Sequence, residues 1–187
     1  MLQLQGITCK IKAFEFFIKQ LVTWYKEQNN QEGLDKNDLS RLKVLKLHFF
    51  VCASTANERE DGLLGVFDNF WAMPYGHVES DIYKNLENLN YCEITNQRLN
   101  IIKEHSEEYF TNLDPIIKRE ILNSFQIIKS KNKDLINYMA IDLVELSHSW
   151  YSWRAMYKLA RSFHKYSLKI PNEMIKSENK QFSLQSA

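Results

Sequence analysis

Between Leu39 and Ala56 the chain runs Leu-Ser-Arg-Leu-Lys-Val-Leu-Lys-Leu-His-Phe-Phe-Val-Cys-Ala-Ser-Thr-Ala. On a helix, Leu42, Leu45, Phe49 and Cys52 form one stripe. Val44, Leu47, Phe50 and Val51 widen it well beyond the stripe of a surface helix. Such a helix needs neighbours on nearly every side, so the stretch predicts a core built around it. Asp38, just before Leu39, is the expected N-cap.

The remaining sequence supplies the wrapping. Phe14, Phe17, Ile18, Leu21 and Trp24-Tyr25 recur at three- and four-residue steps and predict a helix over 8–28. Asn29 to Gly33 reads as its stop. The run Val66–Val78 reads as a short strand or extended segment, then a Pro74-Tyr75-Gly76 turn. A helix over 79–89 follows, with Glu79 and Asp81 in its first turn. Tyr91–Leu99 alternates weakly and is expected to pair with the segment near Phe70 in a small hairpin. Asn112 or Asp114 can open a helix with Pro115 near its first turn, faced by Ile117, Ile121, Phe125 and Ile128. Further helices are expected from Asp134 through Leu146, from Trp150 to Tyr166 with Ser149 as cap, and from Ile170 to about Lys180. With 187 residues, 5 Gly and 3 Pro, the expected class is mainly α (α+β). The expected architecture is a compact single-domain helical fold over 8–182, with a small β-hairpin or extended segment between helices and a frayed tail at 183–187.

Net charge is +1, which gives no general pull toward nucleic acid or anionic membrane. The distribution is uneven. Glu58–Glu93 holds eight acidic and two basic residues, and Trp150 to the end holds seven basic and two acidic. Arg154, Lys158, Arg161 and Lys165 recur at helical steps and line one side. Such a ridge suits phosphates, an acidic protein surface or plain solvent. No run approaches the length that spans a bilayer, and the first residues do not read as a signal peptide. The expected compartment is the cytoplasm.

Chemistry is weakly announced. There is no phosphate-binding glycine loop and no His-Glu-x-x-His. Glu145 and His148 make one Glu-x-x-His step, where helical di-metal sites use two. No metal and no cofactor are expected, and His148 reads as a structural, hydrogen-bonded histidine. Cys52 and His48 lie one helical turn apart, but apolar surroundings disfavour a thiolate. No enzyme is expected. Aromatics gather instead at two breaks: Phe67, Phe70, Trp71 and Tyr75 around Pro74, and Trp150, Tyr151 and Trp153 beyond His148. Such residues anchor protein interfaces and also fill cores. One arrangement packs Trp71 on the Ser147-His148 junction and leaves Tyr75 and Trp150 partly open.

The same residues carry a resemblance. Leu42-Lys43-Val44-Leu45-Lys46-Leu47-His48-Phe49-Phe50 looks like the Leu-Lys-Leu-x-Lys-Leu-x-Tyr-Phe helix of the Panacea domain group, also described as SocA-like or phage-associated GepA-like proteins. Phe70–Val78, continued by Asp81-Ile82-Tyr83, resembles that group's aromatic segment ending in Gly-Pro-Val, with His77 in place of the proline. Leu143–His148 with Trp150 and Trp153 resembles its Leu-Ser/Thr-His block, and Ile170–Phe182 its last helix. The resemblance implies an antitoxin of a prophage-type toxin–antitoxin pair that neutralises a cognate toxin protein by direct binding. Its alternative is an adaptor delivering a toxin or other client to a cytoplasmic AAA+ protease, or a phage regulatory protein without a toxin partner. The expected partner-binding residues are Trp71, Tyr75, His77, Trp150, Trp153, Arg154 and Lys158. Nucleic acid and membrane are not expected partners.

Overall fold

The computed structural model describes residues 2–30, 33–103 and 106–184, with backbone only for 2–5 and 106. Two long helices come first: α1 (Leu2–Asn29) and α2 (Arg41–Thr55). A hairpin follows, β1 (Phe70–Met73) and β2 (Gly76–Glu79), leading into the short α3 (Ser80–Lys84). A second hairpin joins β3 (Cys92–Ile94) to β4 (Leu99–Ile101). Then come α4 (Ser106–Tyr109), α5 (Pro115–Lys131), α6 (Ala140–His148), α7 (Tyr151–Ser162), β5 (Leu168–Lys169) and α8 (Asn172–Ser177). The class is mainly α with a small antiparallel component, as the sequence predicts.

The centre is α2, buried without a break from Lys43 to Ala53. It packs on α5, α6 and β2. His48 points into a cage of rings, with Phe67 at 4.4 Å and Phe14 and Phe17 at 5.0 Å between centroids. Neither nitrogen of His48 has a hydrogen-bond partner, and burial pulls its pKa down to about 3. Cys52, one turn along, is equally enclosed, and burial pushes its thiol well up. The helix is capped by Ser40 rather than Asp38; Asp38 accepts a hydrogen bond from Lys43 Nζ at 2.7 Å.

Strand pairing departs from expectation. β1 is central in the order β2-β1-β5, antiparallel to both neighbours. The Phe70 segment therefore pairs with Gly76–Glu79 and with Leu168–Lys169, and Cys92–Ile94 pairs with Leu99–Ile101 instead. The cause is local. Pro74 and Tyr75 form a two-residue connection that returns the chain at once onto β1. Thr95 Oγ1 accepts hydrogen bonds from the amides of Gln97 and Arg98, closing the second hairpin on itself.

Helix boundaries shift for equally local reasons. The helix expected over 79–89 is one turn, because Glu79 caps it through Ile82 N at 2.7 Å and Asn85 ends it. The helix expected from Asp134 starts at Ala140, after a 3-10 turn over Leu135–Asn137. Ser149 ends α6, and Trp150 precedes α7. The segment beyond α8 is docked: Phe182 is buried, and its carbonyl accepts from Asn132 Nδ2 at 2.7 Å. Of the tail expected to fray, residues 185–187 lie outside the described residues.

At the start of α5, Asp114 accepts from Ile116 N at 2.7 Å and Pro115 takes the first helical position. Asp114→Ala is expected to cost about 1 kcal/mol. Asp114→Asn should recover most of it. Urea unfolding midpoints measure both.

Candidate functional site: the hairpin tip and the face of α7

The corner between α6 and α7 grips the β1–β2 hairpin. Gly76 enters β2 with φ +96, and a Cβ there would meet Ser147 Oγ at 2.3 Å. Only glycine supplies that conformation and that close approach cheaply. His77 follows, fully buried, its ring stacked on Phe49 at 3.6 Å. Nδ1 lies 2.8 Å from Ser147 Oγ, and Nε2 lies 2.9 Å from Ser152 Oγ. Burial, then the charges of Lys46 and His148, hold its pKa well below the usual histidine range. The Lys46 ammonium group, also fully buried, donates to His77 O at 2.5 Å. Among the described residues no carboxylate pairs with it, and burial pulls its pKa down to about 7.

The hairpin tip is held from outside as well. His148 Nε2 lies 3.1 Å from the Pro74 carbonyl, and its ring stacks on Trp153 at 3.7 Å. Trp153 Nε1 donates to Met73 O at 2.8 Å, and Tyr157 stacks on Trp153 at 4.8 Å. Trp71 is half-buried and donates to Asn69 Oδ1 at 2.9 Å. The Ser147 junction is filled by Gly76 and His77, not by Trp71.

These placements divide the expected contact residues. His77 and Trp150 are at most 1% exposed and belong to the interior, a correction to their expected place at a partner surface. Trp150 is covered by the segment after α8: its Nε1 donates to Gln181 O at 3.0 Å, and Phe182 packs on it at 5.8 Å. Trp71 and Trp153 are half-buried. Tyr75, Arg154 and Lys158 are exposed.

α7 presents an unusual outer face. Of its twelve residues only Ser152 and Ala160 are fully buried. At about 100° per residue, Arg161, Arg154 and Lys158 fall along one edge. Tyr151 comes next, then Ala155 and Leu159 along the other edge. Beyond the helix, His164 turns the chain with φ 56, and Phe163, Lys165 and Tyr166 are exposed. Tyr151, Phe163 and Tyr166 are 61%, 61% and 68% exposed, a concentration of uncovered rings. The basic spacing was readable in the sequence. Phe163, Tyr166 and Leu159 were not singled out there, because ring exposure depends on what the fold leaves uncovered.

Charge pairing is asymmetric. Lys10 gathers Asp68, Asp81 and Glu79 at 2.7, 2.7 and 3.0 Å, and Lys176 takes Asp61 at 2.7 Å. Burial opposes the charge on Lys10, but hydrogen bonds to Asp68 and Asp81 and the charge of Glu79 raise its pKa. Those three carboxylates are close enough together to suit a cation, and the Lys10 ammonium group already lies among them. Four of the eight acidic residues of the stretch Glu58–Glu93, namely Asp61, Asp68, Glu79 and Asp81, are thus ion-paired from within. Between Glu145 and Glu173 there is no acidic residue. Among the described residues no carboxylate pairs with Arg154, Lys158, Arg161, Lys165 or Lys169.

The chain matches no protein-family model, no curated protein and no solved structure. The likeness to the Panacea group rests on the motifs that carry it. Among the described residues no helix is long and apolar enough to cross a membrane.

Proposed function

We propose that this protein is a cytoplasmic antitoxin that neutralises a cognate toxin by direct binding, with the outer face of α7 as its docking surface. One observation carries the reading. Arg154, Lys158, Arg161 and Lys165, none with a carboxylate partner among the described residues, lie beside exposed Tyr151, Leu159, Phe163 and Tyr166, while Asp61, Asp68, Glu79 and Asp81 are ion-paired within the molecule. A surface of aromatic and arginine side chains is the composition of interface hot spots. Tyr75, at the hairpin tip held by His148 and Trp153, extends the exposed aromatic material. The motifs shared with the Panacea group supply the antitoxin half of the reading. The arrangement blocks by coverage: the protein occupies a surface of the toxin and leaves no chemistry to be performed by its own residues.

The test is co-expression in bacteria with the protein encoded beside its gene, scored for growth and for co-purification. Rescue with a stable complex supports direct neutralisation. Rescue without a complex points to delivery to a protease, and a neighbour neither toxic nor bound defeats the antitoxin reading. Arg154→Glu/Lys158→Glu is expected to reduce complex formation at least tenfold, because like charges then face the partner's complementary patch. Both side chains are exposed, so thermal unfolding should shift little.

A further inference from the structure

The face of α7 has two chemically distinct edges, and together they select a partner. Arg154, Lys158 and Arg161 span about 10 Å along the basic edge at 1.5 Å per residue. The other edge offers Ala155 and Leu159, continued past the helix by Phe163. A wholly ionic ligand leaves that edge uncovered, and a wholly apolar one leaves the cations unpaired. Net charge is +1, so there is no long-range field to collect a polyanion from solution. Attraction has to be local, over a patch no wider than a few side chains.

We infer that the ligand of this face is a polypeptide segment in which Asp and Glu alternate with bulky apolar residues, laid lengthwise along α7 from Arg154 toward Lys165. The inference rests on the docking surface proposed above and adds the partner's chemistry. The segment's carboxylates pair with Arg154, Lys158, Arg161 and Lys165, two of which offer forked guanidinium donors suited to carboxylates. Its apolar side chains cover the surface formed by Leu159, Phe163 and Tyr166. Rings and aliphatic groups together favour a protein over nucleic acid, which offers base faces for stacking but little aliphatic surface.

Fluorescence anisotropy with three labelled probes tests this. The first is a 16-residue peptide alternating Asp or Glu with Leu or Phe. The second carries Asn and Gln at the acidic positions. The third is a 16-nucleotide oligo-thymidylate. The acidic peptide should bind at least tenfold more tightly than the amide peptide and weaken as salt rises. Arg154→Glu/Lys158→Glu/Arg161→Glu should abolish the difference, and Phe163→Ser/Tyr166→Ser should weaken the acidic peptide several-fold. If the charge-reversed variant does not fold, the corresponding Gln variant replaces it. Equal binding of the two peptides, tighter binding of the oligonucleotide, or no binding by any probe overturns the inference. Failure here is separable from failure of the antitoxin reading. Toxin rescue that survives the triple substitution moves docking to another face and leaves the antitoxin standing. Acidic-peptide binding without rescue keeps this face and removes the toxin.

Discussion

Trp150→Ala is expected to destabilise the protein by about 4 kcal/mol, a large fraction of the roughly 5–15 kcal/mol that holds a domain folded. The ring is 1% exposed. Phe49 meets it edge-on at 4.9 Å, Phe182 at 5.8 Å and His77 at 6.0 Å, and Lys180 lies 5.6 Å from its face. Truncation opens a cavity among these rings and removes the donor to the Gln181 carbonyl, releasing the segment after α8. Tyr75→Ala is the contrast. That ring is 62% exposed, so its loss should change stability by no more than about 0.5 kcal/mol. Urea unfolding separates the two cases. A Trp150→Ala protein that unfolds like the wild type but fails to bind its partner would return this ring to the interface.

Stability is expected to fall as pH drops from 9 to 5, with different residues acting in the upper and lower halves of that range. Lys46 has its pKa depressed from 10.5 to about 7. The unfolded chain therefore binds more protons between those values, and stability rises with pH from about 7 upward. At about 1.4 kcal/mol per unit, the gain between pH 7 and 9 is about 2–3 kcal/mol. Lys43, also depressed chiefly by burial, acts in the same direction. Above pH 9 the buried thiols of Cys52 and Cys92 oppose the trend, because burial raises their pKa. Below about pH 6.5, His48 takes over. It is depressed to about 3, so at pH 5 it costs about 2 kcal/mol, and His77 acts in the same direction. Lys46→Met should flatten the upper half of the curve. At pH 7 it should stabilise by about 2 kcal/mol, after allowing for the His77 carbonyl left without its donor. His48→Phe should flatten the lower half. Chemical unfolding of the three proteins at pH 5, 7 and 9 checks the signs, and an unchanged upper limb in Lys46→Met would rule out Lys46 as its source.

What could be read from the sequence was whatever local chemistry decides. The central helix was visible because its apolar residues occupy every face. The start of α5 was visible to within two residues, because Pro115 marks a first turn and both Asn112 and Asp114 can cap it; the structure uses Asp114. The basic edge of α7 was visible because Arg154, Lys158 and Arg161 keep helical steps, although the helix expected to reach Tyr166 stops at Ser162 and leaves Lys165 beyond it. β5 was not: Leu168 and Lys169 are too few to show alternation, and their partners Ala72 and Trp71 lie far back in the chain. The burial of Trp150 was hidden for the same reason, since Gln181 and Phe182 cover it from the far side of α8. His77 reads as a polar residue beside a turn. Its interior place depends on Ser147 and Ser152, whose hydroxyls satisfy the two ring nitrogens.

The enclosure of α2 has a consequence for synthesis. Its covers, α5 and α6, emerge from the ribosome long after it does. At about 5–20 residues per second, the interval from Thr55 to His148 lasts roughly 5–20 s. During that time a helix with Val44, Leu47, Phe49, Phe50 and Val51 has α1, the turn at Gly62–Gly65 and the β1–β2 hairpin for shelter but lacks α5 and α6. The nascent chain is thus a natural client for a chaperone that holds apolar helices, and any stall before residue 148 releases a product prone to aggregate.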